Sequence, residues 1–311
     1  MGDTATRTAY GETLVELLHE GFDIYAVDAD LSASTTSSKL AAAAPSRHIN
    51  VGIAEQNMIG VAAGLSLAGK TVFTGSFAVF GTGRVYDQIR NTVCYANLNV
   101  KIAPTHAGIS VGPDGGSHQM VEDLALMCVL PNMRVLVPAD YHSARAALRI
   151  AAQTPGPFYI RLGRVGVPHL YNDREGFELG SGKVVRTGKD VTIIACGIEV
   201  SRALDAAEML AREGIEAEVI DAFSIKPLDE QLILESARKT GFVVTAEEHS
   251  VIGGLTSAVS VLVAGNPGCL KKPLVSVAVL DRFGTSGEID ELFREYRLDA
   301  QSIFENVIQY Q

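Results

Sequence analysis

Three short segments within residues 50–118 carry side chains that could do chemistry. The first places a single acid, Glu55, at the start of an apolar helical pattern. The second places Phe77 and Phe80 among glycines, directly after a predicted strand. The third is a glycine-rich loop that ends at His118. We expect the three segments to form one pocket wall that holds and activates a heteroaromatic cofactor.

The first two segments also have purely structural interpretations. Glu55 is either a surface acid that the helix dipole stabilises or a buried acid placed to share a proton. Phe77 and Phe80 are either ordinary core residues or a stacking platform for a flat ring. The residue types alone leave both choices open.

The loop formed by residues 105–118 favours function more clearly. Its glycines let the backbone approach a ligand closely, and it holds His106, Asp114 and His118. A loop with only a structural role would not need this set, and loops at strand ends commonly carry function. The separation of the two histidines is not a recognisable metal-ligand pattern, so we expect no metal site here.

Other charged residues follow predicted strands. Arg161 and Arg164 suit capture of a phosphate, although surface ion pairs are an equal alternative. Asp30 follows a buried strand, where parallel sheets collect ligands, but a turn or capping role fits as well. Glu247 and Glu248 close a strand in the second half and could form either a site or a solvated loop.

Helical and strand patterns alternate along the chain, which predicts an α/β protein with largely parallel sheets. The alternation is interrupted in residues 164–183, which contain Pro168 and several glycines. We therefore expect two three-layer α/β/α domains, residues 1–177 and 178–311.

Composition excludes several classes of protein. The net charge of −10 argues against nucleic acid as a partner, because phosphate-backbone binding needs a basic face. Four scattered cysteines without a CxxC spacing indicate reduced, buried thiols. The polar N-terminus does not resemble a signal peptide, and no apolar run reaches the ~18 residues of a membrane span. We expect a cytoplasmic protein that binds no membrane.

The three segments, in this order, resemble the pyrimidine-binding domain of transketolases, and residues 183–311 resemble the transketolase C-terminal domain. The matching stretches are VGIAEQNM (51–58), SFAVF (76–80) and DGGSHQ (114–119). Three ordered motifs are far more specific than any one of them. The resemblance implies a thiamine-diphosphate-binding fold of the pyrimidine-binding type, followed by a transketolase C-terminal-like domain.

The resemblance also implies roles for the residues at the cofactor. Glu55 would hydrogen-bond N1′ of the aminopyrimidine of thiamine diphosphate and promote its imino tautomer. Phe80 and Phe77 would enclose the pyrimidine ring. Asp30 would lie near the thiazolium and a subunit contact.

At the substrate, the resemblance implies that His106, Asp114 and His118 bind the sugar hydroxyls. The two histidines would also help proton transfer and so count as catalytic. Arg164 would take the substrate phosphate, with Arg161 as the neighbouring candidate.

The chain departs from the family pattern in two ways. Gly83 stands where many transketolases have a tyrosine, so part of the aromatic wall is missing or supplied elsewhere. The Gly-Asp-Gly motif and downstream Asn that hold the diphosphate and Mg²⁺ in the family have no counterpart here.

The resemblance therefore implies that this chain is the smaller half of a split transketolase, an enzyme that transfers a two-carbon ketol unit between sugars. An N-terminal subunit would be mainly responsible for binding Mg²⁺, and the two subunits would form an α2β2 heterotetramer. This chain would self-associate through its C-terminal half.

Alternative assignments remain within and outside this family. The stretch YDQI (86–89) also resembles deoxyxylulose-phosphate synthase and the β subunit of 2-oxoacid dehydrogenase E1. A non-catalytic partner subunit that kept the fold is the alternative from another class.

Overall fold

The computed structural model describes residues 3–310. It contains two α/β domains, as predicted, in which helices cover both faces of a mainly parallel sheet. The strands are β1 (Thr4–Ala5), β2 (Ile24–Asp28), β3 (His48–Asn50), β4 (Thr71–Gly75), β5 (Val100–Ile102), β6 (Arg134–Leu136), β7 (Phe158–Ile160), β8 (Gly166–Val167), β9 (Lys183–Arg186), β10 (Val191–Ala195), β11 (Ala217–Asp221), β12 (Ser224–Lys226), β13 (Val243–Ser250) and β14 (Val275–Val279). The α-helices are α1 (Thr6–His19), α2 (Ser32–Thr35), α3 (Ser38–Ala43), α4 (Glu55–Leu67), α5 (Asp123–Cys128), α6 (Tyr141–Gln153), α7 (Glu199–Arg212), α8 (Glu230–Thr240), α9 (Leu255–Ala264), α10 (Ile289–Glu295) and α11 (Ala300–Gln309).

The first domain is built on a sheet with the strand order β12-β6-β7-β5-β4-β2-β3. Successive side chains of a strand point to opposite faces. Ile24 and Ala26 of β2 therefore pack against α1 and α6, while Val27 packs against α4. Apart from the antiparallel β12, every neighbouring pair in this sheet is parallel.

The second domain has the strand order β14-β13-β10-β11-β9. Helices α7, α10 and α11 cover one face of this sheet. Helices α8 and α9 cover the other face, and their core is continuous with that beneath α4 and α5 of the first domain. A single apolar cluster therefore joins the two domains.

Strand β12 is the clearest sign of this coupling. It belongs to the second half of the sequence but pairs with β6 in the first sheet. The segment of residues 168–182, which contains the predicted boundary, has neither helix nor strand. The halves are thus separate in sequence but joined through a shared sheet edge.

The apolar spacing in the sequence predicts one helix over residues 80–97 and another from Gln119 to Met127. Both differ from the structure. The helix predicted over residues 80–97 consists of wider π-helical turns, Val79–Gly83 and Gln88–Cys94, a form that is frequent at functional sites. The helix predicted from Gln119 begins instead at Asp123, because Gln119 lies in the loop and uses its side chain to bond backbone carbonyls.

Two expectations from composition concern cysteines and membranes. All four cysteines are unpaired, as predicted, and three of them are buried, whereas Cys128 is half-buried. Within residues 3–310, no helix has both the length and the hydrophobicity that a bilayer crossing requires.

Candidate active site

The carboxyl ends of neighbouring parallel strands bring the candidate residues to one edge of the first sheet. Strands β2, β4 and β5 are adjacent, and Asp30, Phe77 and His106 follow them. A bridge between Phe77 and Thr105 extends the pairing past the ends of β4 and β5. Parallel α/β sheets bind ligands at this edge.

Glu55 begins α4 at this edge. Its side chain is only 4% exposed, so the surface-acid alternative does not describe it. Both carboxylate oxygens lie 3.0 Å from Arg84 Nη1. Among the described residues, the side-chain partner of this buried carboxyl group is the Arg84 guanidinium.

Arg84 also forms part of the aromatic wall. Its guanidinium carbon lies 4.2 Å from the centre of the Phe80 ring. Phe80 in turn lies nearly parallel to Phe77, with ring centres 6.2 Å apart and planes 16° apart. Since Gly83 contributes no side chain, Arg84 supplies the flat group that covers Phe80 on this side.

His106 stacks on the other side of Phe77. The ring centres are 3.8 Å apart, and His106 is 3% exposed. Burial lowers the pKa of His106 to about 3, with further contributions from nearby Arg7, Arg164 and His118. His106 is therefore a neutral imidazole over the physiological range, suited to hydrogen bonding rather than to carrying charge.

His118 completes the ring cluster from the glycine-rich loop. Its imidazole meets Phe80 edge-on at 5.4 Å and Phe77 at 6.4 Å between ring centres. Its Nδ1 lies 3.0 Å from Ser117 Oγ. Five planar groups thus form a continuous wall: the guanidinium of Arg84 and the rings of Phe80, Phe77, His106 and His118.

Arg164 and Asp114 lie at the open side of the loop. The guanidinium donates to the Val111 carbonyl at 2.5 Å and lies 3.4 Å from the Asp114 carboxylate. Both side chains are over one-third exposed, so they can meet a ligand from solvent.

Arg161, the neighbouring candidate, occupies a different environment. It is 7% exposed and holds Asp123 through two hydrogen bonds, of 2.7 and 3.2 Å. Burial alone would lower the pKa of Arg161, but Asp123 outweighs it and raises the value. The guanidinium is committed to a buried ion pair, and its position does not support the phosphate-binding role expected from sequence.

Arg7 is a further candidate site residue, which the sequence did not reveal. It lies on α1, donates to the Ser34 carbonyl at 3.0 Å, and contributes to the lowered pKa of His106. Burial and nearby Arg164 lower the pKa of Arg7 itself. Two arginines from opposite ends of the first domain therefore face the same region, although Arg7 stands in a polar helical stretch without any motif.

Asp30 lies at the rim. It is exposed, has a positive φ of 63°, and its amide donates to Asn50 Oδ1 at 3.1 Å. The carboxylate is therefore presented outward. The earlier acid in this segment, Asp28, is fully buried and binds His48 at 2.6 Å, so its role is structural.

Within residues 3–310, no group of three or more His, Cys, Asp or Glu side chains is placed to hold a metal ion. A buried acid beside a stacked aromatic wall suits an organic ring with a proton-bearing nitrogen. The chain thus fits a heteroaromatic group better than it fits a metal.

Comparison with known proteins gives the same picture along the whole chain. Residues 3–168 match the family model of the transketolase pyrimidine-binding domain, and residues 180–303 match that of the transketolase C-terminal domain. A Methanocaldococcus jannaschii protein named as a candidate transketolase C-terminal section is 47% identical, over 97% of this chain and 95% of its own length.

Other relatives extend the comparison. A 6-deoxy-6-sulfo-D-fructose transketolase subunit of a Clostridium strain is 44% identical, over 96% of this chain and 91% of that subunit. Human transketolase is 40% identical over 97% of this chain, which spans only 48% of the human enzyme.

Among solved structures, a split-gene transketolase described as an inactive β4 tetramer superimposes with a TM-score of 0.90. It is 52% identical, and the match covers 99% of this chain and 98% of that one. The chain belongs to the transketolase family and corresponds to the C-terminal section of a split transketolase.

Proposed function

We propose that this chain is the subunit of a two-subunit transketolase that binds the cofactor ring and the sugar. The reaction moves a two-carbon ketol unit from a ketose to an aldose in carbohydrate metabolism. The observation that carries the proposal is the buried Glu55 at one end of a continuous wall of planar groups that ends at His106.

Transketolases use thiamine diphosphate with a divalent metal, and the ring-binding residues here fit the organic part of that cofactor. When bound, thiamine diphosphate supplies the nucleophilic carbon and the electron sink for breaking the carbon–carbon bond. Glu55 would hold a proton at N1′ of the aminopyrimidine, and Phe77 and Phe80 would cover the ring and exclude water. Asp30 closes the rim near the thiazolium.

The substrate side of the site is assigned to the other half of the wall. His106, as a neutral ring, hydrogen-bonds the sugar hydroxyls, His118 binds them beside it and assists proton transfer, and Asp114 binds a further hydroxyl. Arg164 and Arg7 attract the terminal anion of the sugar, because guanidinium groups suit phosphate and sulfonate oxygens. An anionic sugar, most simply a sugar phosphate, is the proposed substrate.

We assign the diphosphate and Mg²⁺ mainly to a separate N-terminal transketolase subunit. The chain spans about half of human transketolase, and a hard cation needs oxygen ligands at fixed positions. Two copies of each subunit would form the enzyme, with self-association through the C-terminal half. Four unpaired thiols suit a reducing compartment, and we place the enzyme in the cytoplasm.

Co-expression with a transketolase N-terminal subunit, followed by a ketol-transfer assay with thiamine diphosphate and Mg²⁺, tests this function. The complex should be active and the isolated chain inactive. Glu55→Gln should lower kcat by about 100-fold or more, because proton transfer at a positioned carboxyl is lost. Glu230→Gln, an exposed acid on α8, is the matched control.

Two results would contradict the proposal. Robust turnover by the isolated chain would remove the need for a partner. Full activity of the Glu55→Gln complex would remove the catalytic assignment.

A further inference from the structure

The glycine-rich loop is enclosed by the C-terminal half of the chain. Within residues 109–118, only Pro113, Asp114 and Ser117 are exposed. The neck of the loop is closed by a hydrogen bond of 2.7 Å from the Gly108 amide to the Met120 carbonyl. A buried loop must satisfy its backbone polar groups with partners other than water, and several of those partners lie outside the loop.

Gln119 satisfies one end of the loop. Its Nε2 donates to the carbonyls of Ile109 at 3.1 Å and Thr285 at 2.9 Å, and lies 3.4 Å from that of Gly112. Thr285 belongs to the segment between β14 and α10. One side-chain amide thus links two turns of the loop to the C-terminal half.

The contact around Gln119 leaves no room for side chains. A Cβ at Gly116 would collide with the Gly284 carbonyl oxygen, and a Cβ at Gly284 would collide with Gln119 Oε1. The two backbones therefore touch directly, and the loop cannot shift toward the C-terminal half.

Glu248 holds the other end of the loop. Its carboxylate accepts a short hydrogen bond from the Ser110 amide, and it is 3% exposed. Arg161 fixes this strand end, because its Nη2 donates to the Glu248 carbonyl at 2.9 Å while its other contacts hold Asp123. Of the two alternatives for Glu248, the solvated loop is wrong, because the residue is buried between the domains.

We propose that Gln119 and Glu248 are positioning residues, through which the C-terminal half fixes the loop that presents Asp114 and His118 to the sugar. This inference rests on the proposed function for its effect on catalysis. The clamping itself is independent of that function, because it concerns only contacts within this chain.

Amide hydrogen exchange on the full chain tests the clamp directly. In Gln119→Met, which keeps side-chain length but loses the amide, the amides of residues 109–118 should exchange roughly tenfold faster. Thr192→Val is the matched control, because Thr192 is a fully buried residue of β10 whose side chain bonds Ser236 and Thr240 rather than the loop. Unchanged exchange in the loop, or equal acceleration in the control, would overturn the proposal.

The kinetic test uses the complex with the N-terminal subunit. Gln119→Met should raise the KM for the ketose roughly tenfold while kcat changes less than about threefold, because a misplaced binding loop weakens substrate capture first. A general loss of folded protein would instead lower kcat and leave KM unchanged, and that outcome would refute the positioning role.

Glu248 provides a second variant in case Gln119→Met folds poorly. Glu248→Gln keeps an oxygen for the Ser110 amide and should retain near-normal KM, whereas Glu248→Ala should raise it. Equal kinetics for the two variants would count against the clamp. An inactive wild-type complex would contradict the proposed function, while the exchange result would still decide the clamp.

Discussion

Glu55 and Arg84 lie 29 residues apart in sequence and meet through one guanidinium nitrogen, which lies 3.0 Å from each carboxylate oxygen. The same guanidinium covers the face of Phe80 at 4.2 Å. Arg84 is 46% exposed, whereas Glu55 is 4% exposed. A half-exposed residue therefore orients a buried acid.

Arg84→Met should disturb catalysis more than folding. The variant removes the hydrogen bonds to Glu55 but keeps an unbranched stem over Phe80, so the carboxyl group loses its fixed orientation. We expect kcat for ketol transfer to fall about tenfold to a hundredfold, since small misplacements of catalytic groups have effects of this size. The free energy of unfolding should fall by about 1–2 kcal/mol, because Arg84 itself is half exposed while the buried Glu55 loses a hydrogen-bond partner.

Steady-state kinetics of the reconstituted complex and denaturant unfolding of the chain measure these two effects. Arg90→Met is the control, since Arg90 is exposed and its described bond is to Asn91 alone. Wild-type kcat in the Arg84 variant would show that Glu55 needs no such support.

Arg161 and Arg164 should separate stability from substrate binding. Arg161→Met leaves Asp123 buried without its guanidinium, which should cost about 3–5 kcal/mol of stability. Arg164→Gln should leave stability nearly unchanged and raise the KM for a phosphorylated ketose about tenfold or more, because a charge-assisted contact is lost. Unfolding curves and KM values, with Arg174→Gln as an exposed control, distinguish the two residues. A stable Arg161→Met protein with a raised KM would return Arg161 to the substrate site.

The contrast between these arginines shows what the sequence could predict. Alternating helix and strand patterns predicted the parallel sheet, and strand order then explains why residues after β2, β4 and β5 share one edge. The burial of Arg161 depends on Asp123, which lies 38 residues away in the sequence. Asp123 begins a helix for which the sequence wrongly predicts a start at Gln119. Arg7 and Arg84 also acquire their positions only through tertiary packing, and no local pattern marks either residue.

Glu199 should make the protein less stable as the pH rises. It is fully buried, neither carboxyl oxygen has a hydrogen-bond partner among residues 3–310, and burial raises its pKa to about 8. The folded state keeps the proton that the unfolded chain releases above its ordinary value of 4.5. The stabilising effect is therefore present below pH 4.5 and lost as the pH rises toward 8.

Glu199→Gln removes this titration. Relative to wild type, the variant should gain about 3 kcal/mol of stability between pH 5.5 and pH 8, a value that follows from about 1.4 kcal/mol per pKa unit. Denaturant unfolding at both pH values measures the gain. Glu218→Gln is the control, because Glu218 is buried but paired with Ser236 and Lys239, and its removal should destabilise at both pH values. Parallel pH profiles for wild type and Glu199→Gln would contradict the prediction.

His106 should act in the opposite direction, on the acid side. Burial beside Arg7 and Arg164 lowers its pKa to about 3, while the unfolded chain takes up a proton below 6.5. The stabilising effect of the neutral ring is therefore present above pH 6.5 and is lost as the pH falls toward 3. At pH 4.5 the free energy of unfolding of the wild type should be about 2–3 kcal/mol lower through this residue alone.

His106→Asn should show a flatter decline of stability on the acid side in denaturant unfolding, whereas His19→Asn, at an exposed position, should follow wild type. Imidazole NMR shifts of His106 that stay unchanged from pH 5 to 8 would agree with this assignment, and a titration within that range would contradict it. Because a permanently neutral His106 contributes no ionisation near neutrality, any histidine-like limb in the pH dependence of ketol transfer must then come from another group.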